Sequence, residues 1–416
     1  MPDFTSMQQK PFNLSAADLD WVQSTLASLS LEDKVGQLFC GISRLMTEEE
    51  YLDTLKICKP GGIMYRPGSL EEAVRFSGVL HQHSQVPMLV AANLERGGNG
   101  IVFEGTQLGS PLEVAATGDV EMARKLGEIC GREGAAVGAN WAFAPIIDID
   151  YNFRNPITNI RTFGSNPERV RDMGVAYVQA VQAHGVAASI KHFPGDGCDE
   201  RDQHLVTSIN NKTVAEWDAT FGEAYRASIE AGALTVMVGH IMQPAYSKKL
   251  RPGIADADIL PASLAPELMG DLLRGQLGFN GLVVTDATTM AGFTIPMPRS
   301  QAVPASIAAG ADMFLFTRNL EEDYGFMLEG VKNGTISAER LDEAVMRILG
   351  LKAALKLHEK KSAPDLAAAR AIVGQAEHQA WSRECADQAI TLVKEQAGVL
   401  PLTPDRYKKI LYCPIE

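Results

Sequence analysis

Along the chain, short uninterrupted apolar runs alternate with longer stretches in which apolar residues return every three or four positions. The runs have the length of strands: 36–42, 61–65, 87–92, 141–149, 187–190, 234–238, 281–285 and 312–316. The intervening stretches 71–81, 120–137, 167–183, 214–231, 264–277, 301–308 and 320–332 have helical spacing. Runs without polar alternation read as strands covered on both faces, the pattern of a parallel sheet. Eight strand–helix alternations favour a (β/α)8 TIM-like barrel, with an open doubly wound sheet as the rival arrangement.

Local signals sharpen the boundaries. Ser15 opens a helix over 14–29, in which Leu19, Val22, Leu26 and Leu29 recur on one face. Asn166 before Pro167 is a cap followed by a first-turn proline, and Thr213 with Glu216 fits a capping box. Gly185, Gly232, Gly310 and Gly334 stand where helices end. A long helix over 337–358 closes the barrel region, expected to span 1–358. Residues 359–416 read as a polar linker over 359–365, a helix over 376–394 and a strand over 409–413. One strand buries no face alone, so this stretch is expected to pack on the barrel or to begin a second domain that is truncated or absent.

Composition narrows the function classes. The 416 residues are 46% hydrophobic, enough for a large core, and the formal charge is -13. A polyanion repels nucleic acid and anionic membrane, so neither is an expected partner. No apolar stretch approaches the ~20 residues of a membrane span. Residues 1–15 lack a basic segment followed by an apolar run, and the six Cys are scattered without a C-x-x-C. Both features predict a cytoplasmic protein with free thiols. There is no Walker-type phosphate loop, and 131–138 reads as helix, not as a dinucleotide fingerprint.

The densest chemistry lies at residues 191–204, K-H-F-P-G-D-G-C-D-E-R-D-Q-H, just after an apolar run. Asp202 and His204, two residues apart, can form a pair in which the carboxylate fixes the imidazole tautomer and makes a general acid/base. A solvated surface loop, or a metal site from His192, Cys198, Asp199 and His204, are the other readings. Asp286 ends the run G-L-V-V-T-D, as a nucleophile at the mouth of a barrel or as a helix cap. Arg161 follows the fourth run, as a fork of donors to a sugar or as a surface cation near a helix end. Asn93 and Glu95 follow the third run. His240 follows the sixth, as a contact or a packed histidine. All fall at the C-terminal ends of expected strands, the face on which barrel enzymes react.

These motifs together resemble glycoside hydrolase family 3. The carriers are K-H-F-P-G-D-G followed by D-Q-H, V-V-T-D-A-T-T-M downstream, N-P-I-T-N-I-R-T-F-G upstream, and L-E-D-K-V-G-Q-L-F near the N-terminus. The D-x-H loop is similar to the β-N-acetylglucosaminidase branch. The resemblance covers about residues 15–360, and 386–401 looks like the opening of the family's second, α/β sandwich domain. It implies a retaining exo-β-N-acetylglucosaminidase acting on muropeptide or chitin-derived oligosaccharides, in cell-wall recycling, without cofactor or metal. Asp286 would be the nucleophile and His204 the acid/base oriented by Asp202. Arg161, Lys191, His192 and His240 would hold the sugar, with Asn93 and Glu95.

Two departures matter. Asn93 stands where the family usually has Asp, and Glu95 could compensate. Asp196 stands where a His is common, and would favour the protonated form of Lys191 or His192. A His acid/base also departs from the usual carboxylate pair. It does not repel an anion, so inorganic phosphate could replace water as acceptor. Activity on β-glucosides as well is the same-family alternative. A non-catalytic sugar-binding module and a metal-dependent hydrolase are the readings from other classes.

Overall fold

The computed structural model describes residues 4–43, 46–411 and 413. Eight parallel strands close into a barrel: β1 Phe39–Ser43, β2 Gly62–Tyr65, β3 Leu89–Ala92, β4 Trp141–Ala142, β5 Ala187–Phe193, β6 Thr235–Val238, β7 Leu282–Ala287 and β8 Met313–Leu315. Each strand pairs with its neighbours in sequence, and β8 closes on β1 with Phe39 beside Phe314. Closure leaves the barrel without an edge and puts all eight C-terminal ends on one face. The open-sheet alternative is thereby excluded. A separate two-stranded sheet pairs Ser208–Ile209 with Ile241–Met242.

The expected helix boundaries hold where capping chemistry marks them. Ser15 caps Ala16–Ser28 in a full capping box, as Thr213 does for Val214–Asp218, and Asn166 caps Pro167–Gln182. Gly185, Gly232, Gly310 and Gly334 all take positive φ, the left-handed turn that a side chain disfavours.

Several elements differ from the sequence expectation. The first run splits, because Ser30 caps a helix at Leu31–Gln37 with Glu32 and Asp33 in its first turn, and β1 begins only at Phe39. The fourth run is a strand only at Trp141–Ala142, with a single further bridge from Ile146 to Lys191. Pro145 brings no N–H to the ladder, and beyond it Ile147 N–H donates to the Lys191 carbonyl at 3.0 Å. Strand β5 extends through Phe193 and β7 through Ala287, so Lys191, His192 and Asp286 lie on strands instead of loops. The helix over 214–231 breaks at Thr220, which leaves helical geometry between Val214–Asp218 and Phe221–Glu230; Trp217 and Phe221 are each fully buried on their own piece. The helix over 264–277 becomes a wider π-helix at Glu267–Gln276, with Leu277 N–H donating to Leu272 O. The strand expected at 409–413 is not formed at its described residues, and Tyr412 lies outside them; no strand among the described residues pairs with the segment.

Beyond the barrel, Leu366–Ile372 and Ala376–Ala389 pack against barrel helices Leu70–His83, Pro111–Ala116 and Val120–Ala136. His378, fully buried on the last helix, holds Glu133 of the barrel at 2.6 Å. No helix among the described residues is long and apolar enough to cross a membrane.

Candidate active site

The C-terminal ends of the strands enclose a cavity of about 140 Å³, lined by Arg66, Asn93, Arg161, Lys191, His192, His204 and Asp286 among others. That is small against the roughly 300–1,000 Å³ of clefts for drug-sized ligands. A larger cavity of about 490 Å³ lies at the other end of the strands, between Leu70–His83, the end of Val120–Ala136 and the segment 357–372. It gathers none of the residues at issue.

Asp286 stands near the end of β7. Its Oδ1 accepts from the Ala287 N–H at 2.7 Å, and its Oδ2 lies 4.0 Å from His192 Nε2. Burial alone would raise its pKa. His192 foremost, with the Ala287 amide and Lys191, more than reverses this and holds the carboxyl below the ordinary range. An ionised carboxylate with no deep cation clamp is free to act as a nucleophile.

His192 is aimed by a residue the sequence reading missed. Asp148, fully buried, accepts from His192 Nδ1 at 2.7 Å and from its backbone N–H at 3.0 Å. That leaves Nε2 turned toward Asp286. The legible signal was a lone Asp inside the apolar run 141–149. Lys191 and His192 both line the cavity although they are consecutive, and the pairing of β5 with β6 slips register between Ile190 and Phe193. Such a bulge re-aims side chains next to active sites.

Arg161 and Lys191 share one carboxylate. Arg161 Nε and Nη2 reach the two Glu95 oxygens at 3.0 and 2.8 Å, and Lys191 Nζ reaches Oε1 at 2.8 Å. Burial pushes the Glu95 pKa up, but Lys191 and Arg161 drive it far below the ordinary range. Glu95 therefore stands behind the two cations and is not among the cavity-lining residues. Asn93 does line the cavity, and no protein partner is found for its amide among the described residues. Arg66, which the sequence reading passed over, projects from the end of β2 and is exposed at the rim.

His204 lies on the loop after β5. Its Nδ1 meets Asp202 Oδ1 at 2.7 Å, and Asp202 also accepts the His204 backbone N–H at 2.8 Å. The imidazole is 54% exposed, so its Nε2 is open to substrate and water. His204 from its loop and Asp286 from β7 line the same cavity. His240 is different: it is buried, and both ring nitrogens have protein partners, Ser263 Oγ at 2.8 Å and Ala287 O at 3.1 Å. A carbonyl only accepts, so Nε2 carries the hydrogen and Nδ1 accepts from the Ser263 hydroxyl. Burial depresses its pKa, which keeps this ring neutral against the strand that carries Asp286.

The four donors considered for a metal have separate partners. His192 turns to Asp148, Asp199 to Arg201 and the Ile209 N–H, and His204 to Asp202. Cys198 Sγ lies against Asn210 Oδ1 at 3.8 Å. Asp196, expected beside Lys191 or His192, accepts from Asn155, Gln203 and the Gly197 N–H, and it shares Asp148 with His192, whose charge acts on it.

At one end of a closed parallel barrel, a part-buried carboxylate and a His–Asp pair thus face one small pocket. The chain matches the glycosyl hydrolase family 3 N-terminal domain over residues 30–351, and it belongs to that family as a glycoside hydrolase. It is 54% identical over 402 residues to a β-N-acetylglucosaminidase/β-glucosidase of Cellulomonas fimi, covering 96% of this chain and 71% of that protein. The solved β-glucoside phosphorylase BglX bound to 2FGlc superposes with a TM-score of 0.93 at 48% identity, over 97% of this chain and 73% of that one. A family 3 β-N-acetylglucosaminidase from Paenibacillus sp. FPU-7 superposes at 0.80 with 28% identity, over 91% and 72%.

Proposed function

We propose that the protein is a retaining exo-β-glycosidase that removes terminal β-linked N-acetylglucosamine from small cell-wall or chitin-derived fragments. The observation that carries this is the pairing, across one small pocket, of the ionised Asp286 with the Asp202–His204 dyad. Asp286 attacks the anomeric carbon as the glycosidic bond breaks, and its electrons pass to the leaving oxygen. That oxygen takes the proton from His204 Nε2. In the second step a water gives its proton to the same nitrogen and attacks the anomeric carbon, and Asp286 departs. Arg161, Lys191, His192 and Asn93 hold the sugar. Glu95 and His240 act from behind, by fixing the two cations and the end of β7.

A second reading is favoured by two observations. His204 presents no negative charge to an anionic acceptor, and a solved relative bears the name of a phosphorylase. In this reading a phosphate oxygen replaces water, and the product is a sugar 1-phosphate. The C. fimi relative's name supports acceptance of β-glucosides as well.

The test is a set of initial rates on paired chromogenic β-glycosides, N-acetylglucosaminide against glucoside, each with and without phosphate. Free N-acetylglucosamine as product, with a strong preference over glucoside, supports the hydrolase. Phosphate-dependent sugar 1-phosphate selects the second reading. A mass shift from a 2-fluoro glycoside found on any residue other than Asp286 sinks the nucleophile assignment.

A further inference from the structure

Between the two members of the acid/base dyad lies Gln203. Asp202 and His204 are part-exposed, but Gln203 turns inward and is 1% exposed. Its amide bridges two elements. Nε2 donates to Asp196 Oδ2 at 3.2 Å, and Oε1 accepts the His240 backbone N–H at 2.9 Å. Its own carbonyl accepts from the Gly292 N–H at 3.2 Å, and the next carbonyl, of His204, accepts from Ala291 at 2.9 Å. Ala291 and Gly292 open the short helix that follows Asp286 on the chain. A Cβ at Gly292 would stand 2.7 Å from the Gln203 carbonyl, so the contact has no slack.

Asp196 completes the tether. Its carboxylate is buried and takes three donors, from Asn155, Gly197 and Gln203. Every one of these contacts requires an acceptor, which the ionised carboxylate supplies and an amide cannot supply at both atoms. Asp196 N–H in turn reaches Asp148, the residue that aims His192.

Resting on the retaining mechanism above, we infer that Gln203, held by Asp196, is the positioning residue for general acid catalysis. It nails the loop that carries His204 to the ends of β6 and β7, so that the proton donor keeps a set place relative to Asp286. Gln203 does not touch substrate in this assignment; it acts through His204. A misplaced acid loses rate only where the leaving group needs a proton, and that gives a signature that general loss of structure does not mimic.

The experiment compares wild type with Gln203→Ala, Gln203→Asn, Asp196→Asn and His204→Ala on β-N-acetylglucosaminides whose leaving groups run from dinitrophenolate to alkoxide. For Gln203→Ala, kcat/KM is expected to fall about tenfold or more with alkoxide leaving groups and under about twofold with dinitrophenolate, a fraction of what a positioned acid supplies. Gln203→Asn keeps the amide but not its reach, and is expected to follow Gln203→Ala. Asp196→Asn is expected to shift in the same direction, and the Gln203→Ala/Asp196→Asn double variant to be no worse than Gln203→Ala alone. An equal loss across all leaving groups for both Gln203 variants, beside a steep dependence for His204→Ala, overturns the positioning role and leaves the mechanism standing. A flat profile for His204→Ala overturns the acid assignment and this inference with it.

Discussion

Two buried histidine–carboxylate pairs in this protein have nearly the same geometry and different surroundings. His192 meets Asp148 at 2.7 Å at the mouth of the barrel, and His378 meets Glu133 at 2.6 Å where the last helix docks. In both, the carboxylate also takes two backbone N–H groups, from His192 and Asp196 in the first case and from Thr106 and Gly374 in the second. The difference is the other ring nitrogen. His378 Nε2 is closed off by the Gln375 amide at 2.7 Å, and Trp381 stacks on the ring. His192 Nε2 faces Asp286 and the cavity. A carboxylate–imidazole pair is thus a structural clamp when both ends are occupied and a chemical group when one end is left open to the site. Burial and pairing alone do not separate the two.

The largest effect should come from removing what the open nitrogen faces. Asp286→Ala is expected to lower turnover roughly 10³-fold or more, with the melting temperature nearly kept, since the one donor that loses its partner, the Ala287 N–H, is only part-buried and borders the cavity. Retained turnover would break the reading of this pair as catalytic. Next comes Asp148→Asn, which removes the anion behind His192 and puts an amide donor against Nδ1. It is expected to cost about 10²-fold in kcat/KM and to lower the melting temperature as well, because Asp148 is buried with several donors.

Asp202→Asn should lower turnover by roughly 10- to 100-fold through the His204 tautomer, with little loss of stability, because the dyad is part-exposed. Full activity in this variant would refute the dyad. His378→Ala is the counterpart at the closed pair. It removes one of the donors of the buried Glu133, which keeps Thr106 and Gly374, and is expected to cost about 1–3 kcal/mol in stability, read as a lower melting temperature, with kcat/KM close to wild type below that temperature. A loss of activity without loss of stability would mean that the docked helix reaches the site.

The smallest effect is on pH dependence. Burial, and then Asp148, raises the Asp196 pKa to about 6, while its donors and His192 pull against this. The folded state therefore binds this proton more readily than the unfolded chain does. The stabilisation from Asp196 is fully present below the ordinary Asp range near 4 and is lost as pH rises through about 6. Asp286 and Glu95 have the opposite sign, since their lowered values favour the fold above the ordinary carboxylate range and lose that contribution as pH falls. Melting curves of wild type and Asp196→Asn from pH 7 to pH 5 isolate the first contribution. Wild type should gain on the variant as pH falls, and parallel curves would contradict the shift.

Much of the site was legible because it is written as local pattern. Asp202 and His204 are two residues apart, and Asp286 ends an apolar run. Lys191 and His192 come directly after an apolar run, at the end of a strand whose face is set by closure of the barrel. The same logic located the caps at Ser15, Asn166 and Thr213 and the glycine stops, which depend on neighbours along the chain. What was not legible is contact between distant segments. Asp148 reads as one acid in an apolar run until β5 is laid beside it. Gln203 reads as a spacer until its amide is seen between Asp196 and His240. Glu95 looked like a sugar contact, and it is the shared counter-ion of Arg161 and Lys191.

The order of apolar runs and helical stretches by itself determined a parallel sheet covered on both faces by helices, because only parallel strands separated by helices allow that here; the closure that makes it a barrel and excludes the open sheet came from the tertiary structure. That order also determined which residues sit on the reactive face. Tertiary structure alone decided where β1 begins, that the helix over 214–231 breaks at Thr220, and that His192 and His204 are open to the cavity while His240 and His378 have both ring nitrogens occupied. Those outcomes depend on burial and on hydrogen-bond partners dozens to hundreds of residues away, and a donor or acceptor in the sequence carries no mark of the group it will meet.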